Sequence, residues 1–190
     1  MCARPRAQHA RADAVRGPGR EQRGGQEGLD HDRADRQQLG GDREPEETLE
    51  VSPGDLDAVY RSFQPETSKV DLVVCGTPQL SLFEFGEIAD RIEGRMVHPD
   101  TRLYLTTNYA VKSQADKAGY TLVVQDAGVR VLTGVCIYIM TAREVRERYN
   151  YRTLVTNSAK LANIISGYGY NPIFRRTEDC IEATATGTVS

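Results

Sequence analysis

The apolar positions of the chain change character near residue 47. Before it, residues 1–46 hold nine arginines, nine acidic residues and seven glycines, with no lysine and not one Ile, Phe, Tyr or Trp. Such a stretch has neither helical nor strand periodicity and too little apolar surface to offset its chain entropy. It reads as a disordered or non-homologous tail. Two other readings stay open: an Arg-rich segment for RNA or acidic partners, and an out-of-frame gene start.

From residue 47 the pattern is that of a packed domain. Ser52 and Pro53 ahead of "GDLDAVYRSF" predict a capped helix with proline at its first position. "VDLVVCG" (70–76) is a continuous apolar run closed by glycine, as a buried parallel strand would be. In "SLFEFGEIADRIEG", Ser81 and Glu84 have capping-box spacing, Phe85, Ile88, Ala89 and Ile92 share a face, and Gly94 suits the end. "TRLYLTT" (101–107) predicts a second strand and "YAVKSQADKAG" a helix ending at Gly119. "TLVVQDAG" fits either helix or strand, "VRVLTG" and "VCIYIM" read as strands, and "REVRERY" as a short, solvated helix or loop. "YRTLVTN", "SAKLANIIS", "PIFR" and "TEDCIEATA" then predict strand, helix, strand and helix. Alternating strands and helices imply an α/β fold with a parallel sheet under helical layers, over residues 47–190.

In such sheets ligands bind beyond the carboxyl ends of the strands. Three polar groups stand there: Gly76, Thr77 and Pro78; Thr106, Thr107 and Asn108; and Thr156, Asn157 and Ser158. The last opens "TLVTNSAKLA" (153–162), which puts an amide, a hydroxyl and the Lys160 ammonium within four residues. Read plainly, Asn157 or Ser158 caps a helix and Lys160 is solvated. Read as chemistry, the corner binds an anion, with the helix N-terminus and Lys160 as the attracting groups. Thr77 and Ser81 are candidates for the same site. His98, in "MVHPD", reads as a surface-loop residue.

Composition removes several classes of function. The chain of 190 residues has a formal net charge of −3, which argues against a general nucleic-acid or membrane-surface binder. No run of 18 apolar residues predicts a membrane span, and no apolar segment follows the basic start, so a cytoplasmic protein is expected. The cysteines Cys2, Cys75, Cys136 and Cys180 are far apart, form no CxxC pair and are expected as thiols. Three histidines, His9, His31 and His98, leave little material for a His-based metal site or triad. There is no GxGxxG, no P-loop and no internal repeat.

Four segments in order, "VDLVVCGTPQLSLFEFGEIADRIEGRMVHPDTRLYLTTNYAV", "AGVRVLTGVCIYIM", "LVTNSAKLA" and "EDCIEATATG", resemble the C-terminal part of the large, catalytic component of aconitase X. That family is aconitase-like in fold and dehydrates small hydroxy acids, hydroxyproline in bacteria and phosphomevalonate in archaea. The family motif GTPHxS is matched by Gly76, Thr77, Pro78 and Ser81, with Gln79 where histidine is usual. The threonine of that motif leans toward the hydroxyproline type. DTC is reduced to Cys136 behind Gly134 and Val135, while TNSAK is intact over Asn157, Ser158 and Lys160. The YxPG that follows is here Ile164, Ile165, Ser166 and Gly167. CVEAA is matched by Cys180, Ile181, Glu182, Ala183 and Thr184.

The resemblance implies a hydro-lyase with an iron–sulfur cluster. Thiolates would hold the cluster, and an open iron would draw off the departing hydroxyl. Cys136 and Cys180 match family positions and are the candidate ligands, with Cys75 as a third. The alternative for each is a small buried hydrophobe. Asn157, Ser158, Lys160, Thr77 and Ser81 would bind the substrate carboxylate, and no catalytic base is identified. The implied partners are the hydroxy acid and a small swivelling domain, fused or as a separate subunit, or a missing upstream half of the large component. Two rival readings stand beside this one: a non-catalytic remnant, and a carboxylate- or phosphate-binding α/β domain without iron.

Overall fold

The structure is a computed structural model and describes residues 47–140 and 142–189. The expected tail over 1–46, with Cys2, His9 and His31, lies outside the described residues. Every element named below belongs to the unit Val51–Ser190.

Strand and helix alternate as the apolar pattern requires. Helix α1 (Pro53–Ser62) is followed by β1 (Leu72–Leu80), α2 (Leu82–Ile92), β2 (Arg102–Thr107), α3 (Tyr109–Ala118) and α4 (Tyr120–Asp126). Then come β3 (Arg130–Thr133), the short α5 (Ile137–Met140), α6 (Ala142–Tyr149), β4 (Thr153–Thr156) and α7 (Ala159–Ile165). A 3-10 turn (Ser166–Tyr168), β5 (Asn171–Phe174) and α8 (Thr177–Thr186) complete the order.

Local chemistry sets most boundaries. Ser52 and Asp55 cap α1 reciprocally, as Ser81 and Glu84 cap α2. Asn108 Oδ1 accepts from Val111 N at 2.8 Å to start α3, and Gly119 at φ 84° ends it, a conformation that costs glycine nothing. The ambiguous "TLVVQDAG" is helix: its buried positions, Thr121 and Val124, lie three apart. "VCIYIM" is not a strand. Ile137 is 3% exposed and Ile139 76%, although a strand would put both on one face, so the segment turns as α5 instead.

The five strands are all parallel, in the order β3-β2-β1-β4-β5. Alternate residues of β1 feed two cores. Val73 and Cys75 join Phe85, Ile88 and Ile92 of α2, Val124 of α4 and Ile181 of α8 on one face. Leu72 and Val74 join Leu161 and Ile165 of α7 and Tyr170 on the other. Burying each large apolar side chain is worth roughly 1.5–3 kcal/mol, so both helical layers are tied firmly to the sheet. The chain runs from β1 out to β3 on one side, then crosses to β4 on the other. The strand order therefore reverses between β1 and β4, and the crevice at their carboxyl ends is where this architecture receives ligands.

Candidate functional site

Strand β1 does not stop at Gly76. Cys75 pairs with Leu105, the register then slips, and the strand rejoins β2 where Leu80 pairs with Thr107. Residues 76–79 bulge out, with Gly76 at φ 97° and a cis bond between Thr77 and Pro78. Gly76 is required on two counts. Its φ disfavours any side chain, and a Cβ there would lie 2.6 Å from Thr106 O and from Leu80 Cγ. Hydroxyls hold the bulge: Thr106 Oγ1 donates to Gly76 O, and Thr107 Oγ1 donates to Leu80 O at 3.0 Å.

Opposite, β4 ends at Thr156 and is followed by Asn157 and Ser158. Ser158 Oγ accepts from Leu161 N at 3.2 Å, capping α7, and donates to Thr77 O across the crevice. Ser158 N donates to Thr156 Oγ1 at 3.1 Å, and Asn157 Nδ2 donates to Thr177 Oγ1 at 3.1 Å at the start of α8. Between the two corners lies a cavity of about 90 Å³ lined by residues 76–80, Glu84, Asn157 and Ser158. This is well below the ~300 Å³ of a complete ligand pocket, so it suits one polar end of a ligand. Thr77 lines it, is 6% exposed, and its Oγ1 is buried with no hydrogen-bond partner among the described residues. Buried hydroxyls are seldom left so, because lost hydration costs roughly 1–3 kcal/mol.

The residues singled out in the sequence thus divide. Thr77, Asn157 and Ser158 meet at one cavity, but only Thr77 keeps a free hydroxyl. Ser158 spends its hydroxyl on structure. Ser81 spends its own in the capping box, donating to Glu84 Oε2 at 2.8 Å, and does not line the cavity. Lys160 is exposed and also outside the lining. Gln79 and Glu84 line it. Glu84 reads in the sequence only as a capping residue, and nothing local marks it for a second role. His98 is in a loop as expected, yet half-buried: a Cβ on Gly187 would lie 2.7 Å from its Nδ1.

The three described cysteines do not gather at one place, though Cys75 and Cys180 share a core. Cys75 and Cys180 are both fully buried in one core, and Cys180 Sγ donates to Arg175 O at 3.7 Å. A hydrogen bond with Cys75, reinforced by burial, holds the Cys180 thiol well above the usual thiol range. Cys136 is half-buried beyond the end of β3. That strand is two places from β1, or roughly 10 Å at ~4.8 Å per strand. Among the described residues no three His, Cys, Asp or Glu side chains are placed to hold a metal ion. These residues do not, by themselves, fit an iron–sulfur centre. No helix among them is long and apolar enough to cross a membrane.

A parallel sheet whose strand order reverses between β1 and β4, bulged there around a buried threonine hydroxyl, defines an α/β domain of doubly wound type. The chain belongs to the aconitase X family: the profile described as Aconitase X third domain matches residues 70–186. It is 34% identical to the cis-3-hydroxy-L-proline dehydratase of Pseudomonas aeruginosa, an alignment covering 77% of this chain and 25% of that protein. It is 31% identical to the phosphomevalonate dehydratase large subunit of Thermococcus kodakarensis, over 72% of this chain and 34% of that one. The crystal structure of Thermococcus kodakaraensis aconitase X in its holo-form superposes with a TM-score of 0.65 at 29% identity, covering 77% of this chain and 36% of the other. The chain therefore spans a quarter to about a third of the length of these relatives.

Proposed function

We propose that this chain forms the third-domain part of an aconitase X-type hydro-lyase and contributes one wall of a site for a small hydroxy acid. The buried, unpartnered hydroxyl of Thr77 at the β1–β4 switch point carries the reading. A threonine hydroxyl both donates and accepts, so it meets either the carboxylate or the hydroxyl of such a substrate. Ser158 fixes Thr77 by holding its carbonyl, and Asn157 and Gln79 frame the opening. The solvated Lys160 draws the anion toward the corner. Similarity to the Pseudomonas aeruginosa enzyme and the threonine of the GTP turn favour cis-3-hydroxy-L-proline as substrate. An iron–sulfur centre in the longer enzyme would take its ligands mainly from chain beyond this segment, and the two-subunit naming of the archaeal relatives supports a smaller partner chain.

Titration of the full chain with cis-3-hydroxy-L-proline, followed by NMR shifts or calorimetry, tests the assignment. Binding should weaken roughly tenfold or more in Thr77→Val and be kept in Thr77→Ser, the loss of one buried hydrogen bond. Binding indifferent to Thr77→Val, or none at all, would sink it. The lack of a three-ligand set among the described residues favours a second reading, a carboxylate- or phosphate-binding domain without iron. Inorganic phosphate that outcompetes the hydroxy acid at the same corner would support that reading instead.

A further inference from the structure

Cys75 and Cys180 come from distant parts of the sequence and meet in the middle of a core. Each is 0% exposed. Cys75 points to the face of β1 that carries Val73, where α2 and α8 pack, and not into the cavity lined by its neighbour Gly76. Cys180 is held from the α8 side by its contact with Arg175 O. A thiol that ligates iron must give up its proton and have an open line to the metal. Here both cysteines belong to the apolar core that includes Phe85, Ile88 and Ile181, and no third side chain completes a metal-ligand set with them among the described residues. Free cysteine packs well in such surroundings as a small hydrophobe.

We infer that Cys75 and Cys180 are a structural thiol pair that seats α8 on β1 and ligates no metal. On this inference neither Cys75 nor Cys180 is a cluster ligand, and Cys136 is the one described cysteine not sealed in the core. The inference is independent of the Thr77 site, since the pair lies on the opposite face of β1 from Leu72 and Val74 and outside the cavity lining.

The test uses the full chain, purified without oxygen. The first measurement is iron per chain after incubation with ferrous iron and sulfide, for the wild type and for Cys75→Ala combined with Cys180→Ala. Equal iron content, whatever its level, is the expected result. A fall to half or less, in a variant that keeps its circular dichroism and a cooperative melt, overturns the inference. The second measurement covers a variant that fails to fold: the rate at which a charged disulfide reagent labels each wild-type cysteine, resolved by peptide mass. Cys75 and Cys180 should react roughly 100-fold more slowly than Cys136, or slower still, because labelling waits for the core to open. Labelling of either within tenfold of the Cys136 rate overturns the inference as well.

Discussion

The Ser158 hydroxyl donates to the carbonyl oxygen of Thr77, so the corner after β4 holds the bulge of β1 in place. One side chain thus joins two segments 81 residues apart and caps α7 at the same time. Ser158→Ala removes both bonds. The expected cost is about 1–3 kcal/mol, read as a lower urea midpoint with an unchanged slope. A midpoint equal to wild type would show that the corner is not held this way.

Gly76 is the tightest point of the bulge. Gly76→Ala combines a left-handed backbone with a Cβ 2.6 Å from Thr106 O, where the backbone cannot move aside cheaply. The loss should reach about 3 kcal/mol or more. Thermal melts of Gly76→Ala beside Gly167→Ala provide the contrast, because a Cβ on Gly167 meets nothing within 4 Å.

Lys160 offers the opposite case. It is exposed, and no ion pair holds it among the described residues, so Lys160→Ala should change stability by less than about 0.5 kcal/mol. Any effect of this variant on hydroxy-acid binding is then electrostatic and should fade as salt is raised. An effect that persists at high salt would place the ammonium in direct contact with the ligand.

Alkaline stability should report on Tyr170. Burial pushes its hydroxyl up to about 12, and the hydroxyl donates to Ala142 O at 3.0 Å. The folded state thus favours the protonated form more than the unfolded chain does. The resulting stability is complete below about pH 10 and is lost as pH rises from there toward 12. Tyr170→Phe should cost about 1 kcal/mol at neutral pH and flatten the alkaline decline. Urea midpoints at pH 8, 10 and 11 measure both. Tyr151, also raised chiefly by burial, should leave a residual slope.

Much of the fold was legible because its signals are short-range. Serine before an apolar run announces a helix whether or not the sheet exists yet, as at Ser52 and Ser81. "VCIYIM" misled because β-branched and aromatic residues favour strands by propensity, while burial decided otherwise: Ile137 went into the core and Ile139 to solvent. The candidate site was legible in part. The polar turns after β1 and β4 mark the right edge of the sheet, but which hydroxyl is free depends on partners far away in sequence. Ser158 and Thr77 are alike in the sequence, but Ser158 donates to Thr77 O, whereas Thr77 Oγ1 has no partner among the described residues.

The sequence by itself determined that this is a parallel α/β domain, where most strands and helices begin, and that a polar corner follows the strand before Lys160. Those features rest on periodicity and capping, which act over a few residues. Tertiary structure alone decided that β4 lies beside β1, that β1 bulges and rejoins β2 at Leu80, and that Cys180 meets Cys75 rather than Cys136. These are pairings between residues some 30 to 105 positions apart. No local preference encodes them; they follow from which arrangement buries the two faces of the sheet at once.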